Sequence, residues 1–343
     1  METALYRKYR PHTFKEVRGQ DHIVSVLEAA ITNGKIAHAY LFCGSRGTGK
    51  TSMARILARA VGTTEKDLYE MDAASQTGVD DIRALQEGVA TLPFDSKYKV
   101  YVIDEVHMLS KSAFNALLKT LEEPPSHVIF MLATTETDKV PETVVSRCQV
   151  FEFKKPSHDI LKKMILDVAK KEGATLAPSS AELVALMAEG SYRDALGTLQ
   201  KVLTVSGDKK LSEDEVAKVV GAPTHSLVNG FLEALAGKET GKAIALAHRG
   251  VEGGADPRVF TMLVLQKVRG VLLMRVAPEM KEALAEQFSE EDLSILTELG
   301  GKRGVAINSA LLSELIGAYI DMNRAPIPLI PLELALMRAL GDK

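Results

Sequence analysis

The chain has 343 residues, 46% hydrophobic and 25% charged, which suits a folded chain of two or three domains and excludes a disordered or low-complexity one. No apolar run approaches the roughly 18 residues of a membrane span, no secretory pattern opens the N-terminus, and two cysteines, Cys43 and Cys148, are too few for a disulfide framework or a four-cysteine zinc site, so a reduced, cytoplasmic setting is expected. A net charge of −3 announces neither nucleic acid nor membrane, and the lack of Trp with 5% aromatics argues against a stacking platform for single strands.

The charge is segregated. Residues 1–60 carry ten Lys/Arg against four acids, a local +6, and residues 61–150 carry eight bases against fifteen acids, a local −7. A basic opening segment of this kind suits a phosphate-bearing ligand. Its core, Leu5 to Phe14, is interrupted by Pro11 and reads as extended or turn-like. Ile23, Val24, Leu27, Ala30 and Ile31 then recur at helical spacing. Ala39–Cys43 is a short apolar run leading into a Gly-rich stretch, hence a buried strand, followed by a helix from Lys50 to about Val61. Strands are predicted at Leu68–Met71, Lys99–Ile103, Val128–Ala133 and Cys148–Phe153, with helices at Val79–Val89 and, capped by Ser110, up to Glu122 before Pro124-Pro125. Strands alternating with helices predict a parallel five-stranded sheet wrapped by helices over residues 1–156. Beyond Pro156 no further strand is predicted. Ser157–Gly173, Ser179–Gly190 and Arg193–Ser206 read as a three-helix domain over 157–221, and 222–343 reads as helical, broken at Gly253-Gly254, Gly300-Gly301 and the Pro326/Pro328/Pro331 stretch.

Gly44, Ser45, Arg46, Gly47, Thr48, Gly49, Lys50 and Thr51 fit the P-loop pattern in full, after a strand and before a helix, the context that separates it from a chance Gly-rich loop. Glycines let backbone N–H groups curl round phosphates, Lys50 reaches the β- and γ-phosphates, and the Thr51 hydroxyl is a ligand for Mg²⁺. Val100–Ile103 carry Asp104 and Glu105 to the C-terminal edge of a strand, where α/β sheets place their ligands. Asp104 suits the Mg²⁺ ion and Glu105 suits the attacking water, so the pair reads as hydrolysis of a nucleotide rather than its storage. Thr135 closes the fourth strand, where its hydroxyl can meet water or γ-phosphate or simply cap a turn. Arg147 precedes the fifth strand; read alone it is a surface charge, but hydrolysis needs a cation at the γ-phosphate, and Arg suits that role. Arg193, in Gly190-Ser-Tyr-Arg-Asp-Ala195, either reaches back to the nucleotide or pairs with Asp194.

Together these stretches resemble a family. Leu5 to Gln20, His38-Ala-Tyr-Leu-Phe42, the P-loop, Asp72-Ala-Ala-Ser75, Ile103-Asp-Glu-Val-His-Met-Leu109, Phe114 to Pro125, Leu132-Ala-Thr-Thr-Glu136 and Ser146-Arg-Cys148 look like the gamma/tau subunits of bacterial DNA polymerase III, the ATPase motors of the sliding-clamp loader. The resemblance is dense from residue 4 to about 205 and weaker beyond, where Pro328 to Leu334 is similar to the family's collar. It implies an AAA+ nucleotide-binding domain, a helical lid and an oligomerisation collar. It implies Thr135 as a first sensor, Arg147 as a finger acting on a neighbouring subunit, Arg193 as a second sensor, and Arg7 and Pro11 at the nucleotide base. It further implies a pentameric assembly with delta- and delta-prime-type subunits, a sliding clamp, and primed DNA held through its backbone, with no membrane partner. As part of a holoenzyme such a chain is classed with DNA-directed DNA polymerases and nucleotidyltransferases, although it carries no polymerase active site.

The sequence departs from the family between the P-loop helix and the second strand. Most members insert a four-cysteine zinc module there, whereas Ala60 to Leu68 passes straight across without cysteine, so no zinc is expected. Longer members continue into a tail for helicase and polymerase, while this sequence ends at Lys343. Two other readings stand beside a clamp-loader motor: another AAA+ DNA-processing ATPase such as a branch-migration helicase, which needs a winged helix for which no strand pair is visible, and a structural loader subunit, whose mark is a degraded P-loop.

Overall fold

Five short apolar runs form one parallel sheet. In a computed structural model that describes residues 3–75, 79–205, 210–211, 213–285, 287–302 and 304–341, they are β1 (Ala39–Gly44), β2 (Leu68–Asp72), β3 (Lys99–Asp104), β4 (Val128–Thr134) and β5 (Gln149–Phe153), in the order β2-β3-β4-β1-β5. Both faces are covered. Tyr40 and Phe42 of β1 join Ile23 and Leu27 of α2 (Asp21–Thr32) and Met53 and Leu57 of α3 (Lys50–Ala60), after a short α1 (Leu5–Lys8). Leu41 and Cys43, on the opposite pleat, join Ile82 of α4 (Val79–Val89) and Phe114 and Leu117 of α5 (Lys111–Glu122). Burial on both sides is why β1, β3 and β4 read as continuous apolar runs, whereas the edge strands β2 and β5 are largely exposed. Ser110 caps α5, accepting from Ala113 N at 3.2 Å. A four-residue α6 (Glu142–Val145) leads into β5.

The rest of the chain is helical: α7 (His158–Lys171), α8 (Pro178–Met187), α9 (Tyr192–Val205), α10 (Glu213–Val220), α11 (His225–Ala236), α12 (Thr240–Glu252), α13 (Pro257–Val276), α14 (Lys281–Ala285), α15 (Glu290–Gly301), α16 (Ser309–Asp321) and α17 (Ile330–Leu340). Residues 157–221 thus hold four helices where three were expected, and two two-residue strands, β6 (Thr175–Leu176) and β7 (Lys210–Leu211), pair in parallel where none was expected. Strands this short leave no alternation to read. The predicted end of the third helix, Ser206, lies outside the described residues. α15 ends on Gly300 and Gly301, at the expected break, and Pro331 sits in the first turn of α17, where a missing N–H costs nothing.

By contact density the chain divides into two compact units. One runs through Met164 and adds Ala188–Gly197; the other comprises Ile165–Met187 and the chain from Thr198 onward. The second unit has its own core around α13, with Phe231, Phe260, Val264, Val268, Leu296 and Leu315 among its buried members. Among the described residues no helix is long and apolar enough to cross a membrane.

In the first unit a buried carboxylate pins the loop between α4 and β3. Asp67 is fully buried and accepts from the backbone N–H groups of Phe94 (2.6 Å), Asp95 (3.1 Å) and Ser96 (2.9 Å). Burial alone raises its pKa, but these donors, with the Ser96 hydroxyl, outweigh it and bring the pKa down to about 2. A depressed carboxylate stabilises the fold above its unfolded pKa of about 3.9, and that stability is lost as pH falls toward the folded value. Asp67→Ala, which strands these donors, is expected to cost about 1–3 kcal/mol at pH 7. In urea denaturation the gap from wild type should narrow as pH falls from about 4 to 2; an equal gap at both ends would rule out the carboxylate as the pin.

Candidate nucleotide-binding site

The sheet order brings the carboxyl ends of β1, β3 and β4 side by side, and the site is assembled there. β1 delivers the Gly44–Thr51 loop and α3 continues from it, with Lys50 as the first helical residue. Lys50 is buried, and its ammonium donates to the carbonyls of Gly44 (2.7 Å) and Ser45 (2.9 Å). Thr48 closes the same loop by donating its hydroxyl to Ser45 O at 2.9 Å. Gly44 has φ +140°, and a Cβ there would come within 2.5 Å of the Phe153 carbonyl on β5. At Gly47, φ is +75° and a Cβ would sit 2.0 Å from Ser191 Oγ. The Gly47 carbonyl also accepts from Tyr192 N at 3.0 Å, so the loop is tied to the start of α9.

The two halves of the motif meet directly. The Thr51 hydroxyl donates to Asp104 Oδ2 at 2.7 Å. Glu105, the next residue, is one of only three described non-glycine residues with positive φ, at 48°, a backbone setting that turns it away from the strand direction. Its Oε2 accepts from the Thr135 hydroxyl at 3.0 Å. Lys50, Thr51, Asp104, Glu105 and Thr135, scattered over 86 positions of sequence, therefore occupy one sheet edge.

Charge concentrates at the same edge. Burial pushes the Lys50 pKa down, against the opposing pull of Glu105 and then Asp104, and the charge of Arg193 adds to the lowering. Arg193, exposed on the first turn of α9, thus acts on the P-loop lysine. Arg10 is a residue that motif reading missed. Its Nε donates to Ser52 Oγ at 2.9 Å, one position beyond Thr51. Burial lowers its pKa first, then Arg55; Arg193 lowers it further, while Glu70 and Asp104 pull the other way. The +6 charge of the opening segment was the only signal for it. Arg7 is exposed, with its guanidinium 5.8 Å from the Tyr6 ring, and Pro11 is partly exposed next to Arg10. His107 also escaped the motif reading, although it is largely buried beside Glu105.

Arg147 is held by Thr143, Ser146 and Glu122. Its guanidinium pairs with Glu122 Oε1 at 2.8 Å and donates to Thr143 O at 2.7 Å, both on the α5–α6 side. Cys43 and Cys148 are both free thiols.

The sequence matches the family DNA polymerase III, delta subunit, over residues 19–77 and 63–157, and the family DNA polymerase III subunits gamma and tau domain III over residues 211–342. It is 39% identical over 316 residues to the tau subunit of DNA polymerase III from Bacillus subtilis, covering 86% of this chain and 56% of that one. To the gamma/tau subunit of Mycobacterium tuberculosis strain H37Rv it is 33% identical over 360 residues, covering 98% and 62%. The chain belongs to the gamma/tau family of DNA polymerase III subunits. It spans about half to three-fifths of the length of these relatives. The Holliday junction branch migration motor RuvB of Thermotoga maritima superposes with a TM-score of 0.53 at 23% identity, covering 73% of this chain and 86% of that one. That likeness establishes the AAA+-like P-loop fold and nothing of function.

The donor set fits a nucleotide with its magnesium ion. Magnesium takes hard oxygen ligands and is usually held by one or two protein groups plus phosphate and water, which is what adjacent Thr51 and Asp104 oxygens offer. The cations Lys50, Arg10 and Arg193 suit polyphosphate charge. Gly47→Ala is expected to weaken binding of a fluorescent ATP analogue about tenfold or more, from a left-handed backbone cost of roughly 1–2 kcal/mol plus the clash with Ser191. Adding Ser191→Gly should recover part of the loss, by removing the clash alone. Unchanged affinity in Gly47→Ala would mean that the loop does not hold the nucleotide in this conformation.

Proposed function

We propose that the chain is the ATPase motor of a DNA polymerase III clamp loader, in which ATP binding and hydrolysis drive opening of a sliding clamp and its loading onto primed DNA. The observation that carries this reading is the junction of an intact P-loop with Asp104 and Glu105, in a chain of the gamma/tau family. An intact pair of motifs favours a motor over a purely structural subunit. Homology over both ends of the chain favours clamp loading over branch migration.

In this reading Lys50 and the P-loop backbone bind the β- and γ-phosphates, and Arg193 adds positive charge from the lid. Thr51 and Asp104 hold Mg²⁺, which neutralises phosphate charge when bound. Glu105 orients and polarises the attacking water, while Thr135 holds the carboxylate at the sheet edge. Arg147 acts in trans: with its partners on the α5–α6 side, it serves the γ-phosphate of a neighbouring subunit. A head-to-tail interface of this kind is heterologous and builds an open ring or spiral, consistent with a pentamer containing delta- and delta-prime-type subunits. Residues 157–221 form the lid and 222–343 the collar. Primed duplex is held through its phosphates, without base readout.

Steady-state ATP hydrolysis in the reconstituted assembly should rise when primed DNA and the clamp are both added, and a rate indifferent to them would overturn the reading. Arg147→Ala, mixed into assemblies, should retain nucleotide affinity yet lower turnover about 10³-fold or more. Loss of ATP binding instead would assign Arg147 to its own subunit's site.

A further inference from the structure

Next to Glu105 lies a group of polar contacts around His107 that the P-loop motifs do not include. His107 sits on the short turn after β3, its side chain only 6% exposed. Its Nδ1 is 3.0 Å from Thr134 Oγ1, the buried last residue of β4, and its Nε2 is 3.3 Å from Glu136 Oε1. The Thr134 hydroxyl in turn accepts from Glu136 N at 3.0 Å. One tautomer satisfies both hydrogen bonds: Glu136 N–H donates to Thr134 Oγ1 and the Thr134 hydroxyl donates to His107 Nδ1, which leaves Nε2 facing the Glu136 carboxylate. Lys139 pairs with that same carboxylate at 2.7 Å from the outside.

These contacts flank Thr135. This residue lies between Thr134, which is hydrogen-bonded to His107, and Glu136, which faces it, and it donates to the Glu105 carboxylate. His107 and Glu105 leave β3 two residues apart, and His107 Nδ1 is 3.5 Å from Glu105 Oε2. The turn carrying Glu105 and the turn carrying Thr135 are thus joined twice, once by Thr135 itself and once by the imidazole. Glu105 has positive φ, so its backbone setting is one that the surroundings must hold.

We propose that His107 is a positioning residue for ATP hydrolysis, which clamps the Thr134–Glu136 turn to the turn carrying Glu105 and so sets where the Glu105 carboxylate stands. It acts through Thr134 and Thr135. The inference rests on the ATPase reading above and adds a residue to it. Its decisive link is the Nδ1 contact with buried Thr134, since Glu136 is already held by Lys139 and is 43% exposed.

The test uses the full chain assembled with its loader partners, with wild type and Glu105→Gln measured alongside. His107→Ala should lower kcat about 10–100-fold, the scale of an ångström-level misplacement of a catalytic group, while KM and the affinity for a fluorescent ATP analogue stay within about twofold. His107→Asn places a polar atom near the Nδ1 position and should recover most of kcat. His107→Gln, which reaches toward the Nε2 position, should leave kcat low. Thermal melts of each variant separate a folding defect from a rate defect. Wild-type kcat in His107→Ala, rescue by Gln rather than Asn, no rescue by Asn in a folded protein, or loss of ATP affinity in step with kcat would each overturn the proposal. If wild type itself turns over no ATP, the ATPase reading fails first, and that outcome is distinct from all of these.

Discussion

The Thr51 hydroxyl donated to Asp104 is the contact on which the rest of the site depends. It joins the first turn of α3 to the end of β3, two segments separated by more than fifty residues. It exists because β4 alone separates β1 from β3 in the sheet, so the loop leaving β1 and the acids leaving β3 open toward the same edge. A parallel sheet makes this general, since every strand ends on the same side and ligands gather beyond those ends.

The charges at that edge follow from burial rather than from total charge. Lys50 is taken out of water, which lowers its pKa, and it is compensated by two loop carbonyls and by Asp104 and Glu105. Arg10 and Arg193 add cations from the two ends of the first unit. Such a cluster repels itself in isolation, and a polyphosphate relieves the repulsion. Its assembly also links the P-loop to α9 through Gly47, Ser191 and Tyr192, so the same contacts that shape the loop hold Arg193 in range.

Much of this was legible from residues alone. The strands of the sheet and the helices between them followed from short apolar runs and capping signals; the central strands β1, β3 and β4 are buried on both faces and leave the clearest runs. The P-loop and the Asp104-Glu105 pair were legible because phosphate and metal chemistry constrain consecutive residues. What escaped were features without local pattern: the two-residue strands β6 and β7, the helix Glu213–Val220, and the first-turn role of Pro331. Arg10 and His107 escaped for a related reason. Each lies in a stretch that carries the family resemblance, but its role comes from a partner far along the chain, Ser52 for one and Thr134 for the other.

The sequence by itself determined the chemistry available: which residues can cradle phosphate, which oxygens can meet a metal, and which strands must be buried. Those properties belong to residue types at short spacing, where backbone geometry leaves little choice. Only the tertiary structure decided which of these groups meet. That Thr135 holds Glu105, that His107 bonds Thr134 and faces Glu136, and that Arg147 pairs with Glu122 and the Thr143 carbonyl all depend on strand order and on turns whose ends are distant in sequence. Hydrogen bonds are satisfied over about three ångströms in space, whatever the separation along the chain.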